Sequence, residues 1–231
     1  MKIKVLDRDS MGKDLDFSAL FALGDVEIYD YTAEGEVESR ISDADILVIN
    51  KIRLGAELLE KAKNLKLVTI FATGFDNVDV SAAGRLGIGV CNVPAYSTDS
   101  VALFTVANVL ALMTHLFAYR NHVSSGFYTE NKKANILVPV YHELRGKVWG
   151  IVGFGNIGRA VAKVAEAFGA RVIVNKRAPV EDYECVDIDT LCKTADIITL
   201  HCPLNDSTRA MINTERLSIM KKEAILVNEA R

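Results

Sequence analysis

Short apolar runs alternate with amphipathic segments along the first 98 residues of the chain. Segments such as 56–62, in which apolar residues recur at helical spacing, separate runs of strand length. This alternation predicts a parallel sheet with right-handed crossovers, so residues 1–98 are expected to form one doubly wound α/β domain. The predicted strands are IKVL at 3–6, VEIY at 26–29, DILVIN at 45–50, LKLVTIF at 65–71 and IGVCN at 88–92.

The same alternation resumes in the second half of the chain. A helix is expected over about 156–168, closed by Gly169, and another near 213–220. The pattern predicts a second parallel-sheet α/β domain, which we assign to residues 99–231. Its predicted strands are KVWGIVG at 147–153, RVIVN at 171–175, DIITLHC at 196–202 and AILVNEA at 224–230.

One long apolar segment joins the two patterns. Residues 101–118 carry no formal charge and reach the length of a membrane span. Asn108 and His115 interrupt the segment, and Thr98 or Asp99 is suited to cap a helix that starts between two α/β patterns. A buried helix is therefore favoured over a transmembrane one, and no membrane partner is expected.

The apolar surface of this helix, predicted from Thr98 to Tyr119, is too wide for a single contact with the core. Closed two-fold pairing is the commonest way to cover such a surface. We therefore expect a homodimer packed through this helix and the loop after it, with Leu110 and Phe117 facing outward.

Composition narrows the class of partner. The 27 Lys plus Arg nearly balance the 30 Asp plus Glu, and no basic block or aromatic-basic stripe indicates nucleic acid, so a small molecule is expected. The four cysteines lack metal-ligand spacing and fit reduced thiols. The N-terminal residues lack the apolar core of a signal peptide, so the protein is predicted to be cytoplasmic.

The stretch VWGIVGFGNIGRA, residues 148–160, contains Gly153, Gly155 and Gly158 in the spacing GxGxxG. The spacing alone is weak, but here a predicted strand enters the loop and an amphipathic helix leaves it. In a dinucleotide site the first glycine allows the tight turn, the second admits the pyrophosphate and the third allows close packing of helix on strand. The amides of Asn156 and Ile157 would face the phosphates at the helix N-terminus.

Ligands of such sheets bind outside the carboxyl ends of the strands. The predicted strand ends bring three further segments to the same crevice: Asn175–Arg177, His201–Pro203 and Glu229–Arg231. Arg231, the last residue given, is therefore expected at the lip of the cofactor crevice.

These residues resemble the D-isomer-specific 2-hydroxyacid dehydrogenases, and within them the glycerate dehydrogenase or hydroxypyruvate reductase group. The resemblance covers essentially the whole chain and is carried by residues 72–102, 144–160 and 194–231. It implies a flavodoxin-like substrate domain, a Rossmann dinucleotide-binding domain that is incomplete at its C-terminus, and hydride transfer between NAD(P)H and a small 2-oxo acid, or the D-2-hydroxy acid, such as hydroxypyruvate or glyoxylate.

The resemblance also implies roles for particular positions. Arg231 matches the catalytic arginine that grips the 2-oxo acid, while Thr73, Gly74 and Phe75 match the loop whose amides bind the substrate carboxylate. Lys51 lies where a substrate-facing residue is common. Further cofactor contacts beyond the glycine loop are expected at the strand ends that line the crevice and at positions that the resemblance implies. They are Asn175, Lys176, Arg177, His201, Pro203, Thr208, Asn228 and Ala230.

The family's other catalytic residues, a glutamate and the histidine that acts as general acid, lie beyond its arginine. Four strands are expected in the second domain, fewer than the six of the dinucleotide-binding fold, so we expect roughly 80 to 100 further residues after Arg231. Without the glutamate and the histidine, this chain alone is expected to be inactive. A non-enzymatic dinucleotide-sensing or interaction protein of the same fold is the alternative. The coding sequence downstream of Arg231 distinguishes the two.

The residues after the second strand of the glycine-loop domain bear on the choice of cofactor. An acidic residue about 20 positions past the loop binds the adenosine ribose hydroxyls in NAD-binding forms of the fold. Here Lys176 occupies that place, with Asn175 before it and Arg177 after it. NADP(H) is therefore expected in preference to NAD(H). The alternative is that the two basic side chains only face solvent on an exposed turn and the ribose hydroxyls bind the backbone.

Overall fold

The computed structural model describes residues 1–12, 14–132, 135 and 137–230. The chain divides into two compact units, Met1–Tyr96 and Ser97–Arg231. The sequence predicts a domain boundary after residue 98, and in the structure the division along the chain falls between Tyr96 and Ser97. Both units are α/β, as predicted.

The first unit contains one parallel sheet. Its strands are β1 (Lys2–Val5), β2 (Asp25–Ile28), β3 (Ile46–Ile49), β4 (Leu67–Ile70) and β5 (Gly89–Cys91), in the order β2-β1-β3-β4-β5. Its helices are α1 (Ser18–Phe21), α2 (Val37–Ile41), α3 (Ala56–Lys61) and α4 (Val80–Arg85), with 3-10 turns at Arg8–Ser10 and Glu34–Glu36. The strand order is that of flavodoxin-like sheets, as expected.

The second unit begins with three helices and continues with a second parallel sheet. The helices are α5 (Thr98–Met113), α6 (Leu116–Ser124), α7 (Phe127–Glu130), α8 (Asn156–Ala167), α9 (Ile188–Thr194) and α10 (Thr214–Ile219). The strands are β6 (Val148–Val152), β7 (Arg171–Asn175), β8 (Glu184–Cys185), β9 (Ile197–Leu200) and β10 (Ile225–Asn228). Their order, β10-β9-β6-β7-β8, is that of five strands of the Rossmann sheet.

Both sheets are covered on two faces, which explains the nearly continuous apolar runs of their central strands. On β3, Leu47 and Ile49 pack into one core cluster while Val48 packs into another. On β6, Trp149 and Ile151 face one core and Val152 faces the other. Successive side chains of a strand point to opposite faces, so a strand covered on both sides must be apolar throughout.

The prediction of one helix from Thr98 to Tyr119 is wrong. The helix is interrupted between α5 and α6 at His115, which adopts the left-handed conformation with φ of 51°. The hydroxyl of Thr114 donates to the carbonyl of Leu110 at 2.7 Å, and such back-bonding competes with the helical ladder and bends helices.

Within the described residues, no single helix is both long and apolar enough to cross a membrane. Helices α5 and α6 meet the length and composition test only when taken together, and they are bent by 65° relative to one another. On α5, Ala102, Val106 and Val109 are buried in the same core as Trp149 and Ile151 of β6. The expected buried face is therefore present on the first of the two helices.

Candidate functional site

The glycine loop follows β6 directly and its first and third glycines are required by close packing. Gly153 has φ of 87°, and a Cβ there would lie 2.6 Å from the amide nitrogen of Cys202 and 2.7 Å from the carbonyl carbon of His201. A Cβ on Gly158 would collide with the carbonyl oxygen of Gly153. The loop is thus pressed against the end of β9 on one side and against α8 on the other.

Gly155 differs from the other two glycines because its surroundings are open. A Cβ at Gly155 would meet no heavy atom within 4 Å, and Gly155 is exposed at the N-terminus of α8. The N-cap residue is Gly155 itself, and within the described residues no side-chain cap is present at that end of the helix, where the amides of Asn156 and Ile157 lie. An open backbone surface beside uncapped helix amides fits the pyrophosphate of a dinucleotide.

The end of β7 carries the residues predicted to contact the adenosine ribose. Asn175 donates through Nδ2 to the carbonyl of Val186 at 2.9 Å, so its amide is engaged within the fold. The side chains of Lys176 and Arg177 are exposed, and Arg177 donates through Nη2 to the hydroxyl of Ser207 at 2.9 Å. Arg177 therefore spans from the end of β7 to the loop after β9.

His201 follows β9 and is held against the glycine loop. Its backbone amide donates to the carbonyl of Val152 at 2.7 Å. Burial lowers the pKa of the His201 imidazole from 6.5 to about 4, so the ring is neutral at pH 7. Both ring nitrogens are buried, and neither has a hydrogen-bond partner in the part of the chain that the structure describes.

Four of the predicted cofactor contacts line one cavity of about 290 Å³ between the ends of β9 and β10. The hydroxyl of Thr208 donates to the carbonyl of Pro203 at 2.6 Å, which fixes the loop on one side of the cavity. On the other side, Asn228 accepts the amide of Ala230 at 2.9 Å. The structure thus brings Pro203, Thr208, Asn228 and Ala230 together at one cavity.

Arg231, predicted to be the catalytic arginine, lies outside the described residues. Glu229, two residues earlier, is half-buried and accepts a hydrogen bond from Nδ2 of Asn108 on α5 at 2.9 Å. This contact ties the segment after β10 to α5.

The predicted substrate-binding residues lie in the first unit, at the carboxyl ends of its strands. Thr73 follows β4 and donates through its hydroxyl to the carbonyl of Val93 at 2.9 Å, while its own carbonyl accepts Nδ2 of Asn92 at 2.8 Å. The loop that continues through Gly74 to Phe75 is thereby tied to the end of β5. The side chains of Phe75 and Lys51 are exposed.

Sequence reasoning missed Ser207 as the partner of Arg177. Ser207 belongs to a turn in which its amide and hydroxyl both donate to Oδ1 of Asn205, at 2.9 and 2.6 Å. The Asn-Asp-Ser-Thr composition signals a turn, but no local pattern indicates that it meets a residue 30 positions earlier.

Both halves of the chain match models of one protein family. Residues 9–150 match the catalytic domain of the D-isomer specific 2-hydroxyacid dehydrogenases, and residues 106–231 match the NAD binding domain of the same family. The chain belongs to this family. The resemblance inferred from the sequence motifs is therefore confirmed.

Relatives within the 2-hydroxyacid dehydrogenase family include a hydroxypyruvate reductase from Blautia hydrogenotrophica, 38% identical over 100% of this chain and 74% of the relative. A glycerate dehydrogenase from Methylorubrum extorquens is 36% identical over 85% of this chain, which spans 62% of that relative. Both names belong to the group predicted from the sequence.

Solved structures show the same fold with both forms of the cofactor. An acyclic imino acid reductase in complex with NADPH and D-Arg has a TM-score of 0.89 and 32% identity, covering 100% of this chain and 75% of that one. A D-lactate dehydrogenase from Aquifex aeolicus, complexed with NAD and lactic acid, has a TM-score of 0.83 and 30% identity, covering 100% and 69%. A nicotinamide dinucleotide is thus the cofactor class supported for this dehydrogenase chain.

Proposed function

We propose that the protein is an oxidoreductase that transfers a hydride between NAD(P)H and a small 2-oxo acid, or the corresponding D-2-hydroxy acid, such as hydroxypyruvate or glyoxylate. The observation that carries the proposal is the glycine loop. Close packing excludes a side chain at Gly153 and Gly158, whereas the space around Gly155, at the N-terminus of α8, is open. Membership of the dehydrogenase family supports the reaction class.

In this proposal one unit binds the cofactor and the other binds the substrate. Residues 99–231 hold the dinucleotide, which supplies the hydride when bound, and residues 1–98 hold the substrate. Amides of Thr73, Gly74 and Phe75 bind the substrate carboxylate, with Lys51 facing the substrate. Arg231 grips the 2-oxo acid with its guanidinium, which a lysine at the same place would do less well because it lacks the bidentate fork.

The reaction is tested with the full-length protein by following the loss of NADPH absorbance with hydroxypyruvate and with glyoxylate. Arg231→Ala is expected to keep cofactor affinity and lose most turnover, while Arg85→Ala, which removes an exposed arginine at the end of α4, leaves both unchanged. Cofactor binding without turnover of either acid by the wild type would contradict the proposal and favour the dinucleotide-sensing alternative.

We also propose that NADP(H) is preferred to NAD(H). Lys176 and Arg177 place two exposed cations where NAD-binding forms of the fold carry an acidic residue, and Ser207 holds the Arg177 guanidinium. A 2′-phosphate gains charge-assisted hydrogen bonds there, each worth roughly 1.5–3 kcal/mol when partly shielded from solvent.

The preference is measured as the ratio of kcat/KM with NADPH to that with NADH. Lys176→Asp combined with Arg177→Ser should lower the ratio by about 100-fold or more, which corresponds to losing roughly 3 kcal/mol. Arg171→Ser is the matched control, since Arg171 lies on β7, the strand that precedes Lys176 and Arg177, and pairs with Glu184 at 2.7 Å. A wild-type preference for NADH would contradict the proposal.

We further propose that the protein is a cytoplasmic homodimer. All four cysteines are free, which fits a reducing compartment. The dimer proposal rests on exposed apolar side chains of α5 and α6.

A further inference from the structure

A buried carboxylate lies beneath the predicted substrate-facing residue of the first unit. Asp7 follows β1 and is only 6% exposed. Its carboxylate accepts the backbone amide of Lys51 at 2.6 Å, the backbone amide of Asn50 at 2.9 Å and the hydroxyl of Ser10 at 3.0 Å. The carboxylate therefore holds the backbone at the point where β3 has ended and the Lys51 side chain leaves the fold.

A second buried side chain holds the same short segment from the other direction. Asn77 is 9% exposed and donates through Nδ2 to the carbonyl of Ile52 at 2.8 Å and, more weakly, to that of Asn50 at 3.4 Å. These carbonyls flank Lys51, whose own amide is bound by Asp7. The backbone of Lys51 is thus fixed on both sides while its side chain stays exposed.

Asn77 also connects this segment to the predicted carboxylate-binding loop, because it lies two residues after Phe75. The main chain continues the connection: the amide of Leu54 donates to the carbonyl of Asn77 at 2.8 Å, and the amide of Asp79 donates to the carbonyl of Leu54 at 2.9 Å. Lys51 and the Thr73–Phe75 loop are therefore attached to one hydrogen-bonded frame.

The frame is not arranged for maximal stability. The Oδ1 atoms of Asn50 and Asn77 are buried and have no hydrogen-bond partner within the described residues, and a buried acceptor left unpaired is unfavourable. No Lys or Arg side chain among those residues forms an ion pair with Asp7. Local polar strain of this kind is typical of sites kept for function.

We propose that Asp7 and Asn77 are positioning residues, which fix the Lys51 backbone relative to the Thr73–Phe75 loop so that both meet the 2-oxo acid in one geometry. The inference rests on the proposed function, because it takes that loop and Lys51 as the substrate site. Neither Asp7 nor Asn77 is assigned a contact with substrate or cofactor.

The test is Asp7→Asn in the full-length protein. The amide keeps the size of the carboxylate but turns a donor toward the amides of Asn50 and Lys51, so the segment loses one of its fixed contacts. Misplacement of a binding group by about 1 Å can lower reactivity by about two orders of magnitude, so KM for the 2-oxo acid should rise about tenfold or more. The dissociation constant for NADPH should stay within about twofold, since cofactor binding belongs to the other unit.

Lys4→Met is the matched control. Lys4 lies on β1, three residues before Asp7, and is buried. Its ammonium group pairs with Asp43 at 2.6 Å and with Glu27 at 3.3 Å, both of which lie outside the frame described above. This variant should lower the melting temperature without changing KM. Hydrogen exchange gives a readout that needs no activity: the Lys51 amide should exchange faster relative to that of Leu47 in Asp7→Asn and not in Lys4→Met.

The outcomes separate the two proposals. A wild-type protein that turns over neither 2-oxo acid overturns the proposed function and the inference with it. A wild type that is active, with an unchanged KM in Asp7→Asn or with an equal rise of KM in Lys4→Met, overturns the inference alone. A KM increase confined to Asp7→Asn, together with faster exchange at Lys51, supports it.

Discussion

At the scale of single residues, the three glycines of the loop serve different ends that the spacing GxGxxG does not distinguish. Gly153 combines a left-handed backbone with contacts that a Cβ would violate, and Gly158 is closed by the carbonyl of Gly153. Gly155 has an ordinary φ of -87° and open space around it. The first and third glycines are therefore required by the fold, whereas the space around the second would accept a side chain.

This difference predicts opposite results for two alanine substitutions. Gly153→Ala should destabilise the protein by roughly 2–4 kcal/mol, because the left-handed conformation and the collision with Cys202 both oppose a side chain. Gly155→Ala should change the free energy of unfolding by less than about 0.5 kcal/mol, yet weaken dinucleotide binding about tenfold or more. Urea unfolding and cofactor fluorescence titration measure the two quantities. Unimpaired cofactor binding by Gly155→Ala would place the pyrophosphate elsewhere.

His201 predicts a pH dependence of stability. Because burial lowers the pKa of the folded-state imidazole to about 4, the unfolded chain binds a proton near pH 6.5 that the folded chain does not. The contribution of His201 is therefore fully present above pH 6.5 and is lost as the pH falls from 6.5 toward 4. His201→Gln should lose less unfolding free energy than the wild type between pH 7 and pH 5. Parallel stability curves for the two proteins would contradict a buried neutral imidazole.

At the scale of elements, the packing of α9 on the second sheet depends on a glycine in β6. A Cβ on Gly150 would lie 2.6 Å from Cδ2 and 2.8 Å from Cγ of Leu191, which is fully buried on α9. Gly150→Ala should therefore destabilise the protein by roughly 1–3 kcal/mol through overpacking.

Shortening the opposing side chain tests this explanation. Leu191→Ala alone should cost roughly 2–5 kcal/mol by leaving a cavity, but together with Gly150→Ala it should cost clearly less than the sum of the two single changes. The free energies of unfolding of the four proteins form a double-mutant cycle. Additive changes would show that the added methyl group at residue 150 does not act through Leu191.

The elements that could be predicted from sequence are those whose burial leaves a local pattern. The strands covered on both faces, such as β3 and β6, stand out as apolar runs and were located within one or two residues at most ends. Strand β8 was missed because it has two residues, Glu184 and Cys185, both of them exposed. The break after α5 was missed because neither Gly nor Pro marks it, and the left-handed His115 lies inside an apolar run.

The same rule decides which parts of the candidate site could be predicted from the sequence. The glycine loop was predictable because strand, turn and helix are consecutive in the chain. The Arg177–Ser207 contact and the hydrogen bonds from Asn50 and Lys51 to Asp7 join residues 30 to 44 positions apart, and no periodicity encodes them. A buried aspartate after β1 carries no local sign that it binds the backbone beyond β3.

At the scale of the whole molecule, an unburied apolar surface on α5 and α6 supports assembly into a dimer. Leu112 is 52% exposed and Phe117 is 64% exposed, and Leu103, Phe104, Leu116 and Val123 on the same two helices are also exposed. Leu110 was expected to face outward, but it packs against the core that contains Trp149 and Ile151. Apolar side chains gathered on adjacent helices are usually covered by a partner, most often a second copy related by a two-fold axis.

Replacing two of these exposed residues by lysine tests whether α5 and α6 form the interface. Leu112→Lys with Phe117→Lys should convert a dimer into a monomer or an aggregating species, because two charges would otherwise be buried at a self-complementary interface.

Phe21→Lys with Leu23→Lys is the matched control, since these residues are 57% and 59% exposed in the first unit. Light scattering on the full-length protein measures the mass in each case. The control should keep the dimeric mass, since it introduces the same two charges away from α5 and α6. A monomeric wild type, or a dimer that survives both lysines, would mean that α5 and α6 do not form the interface.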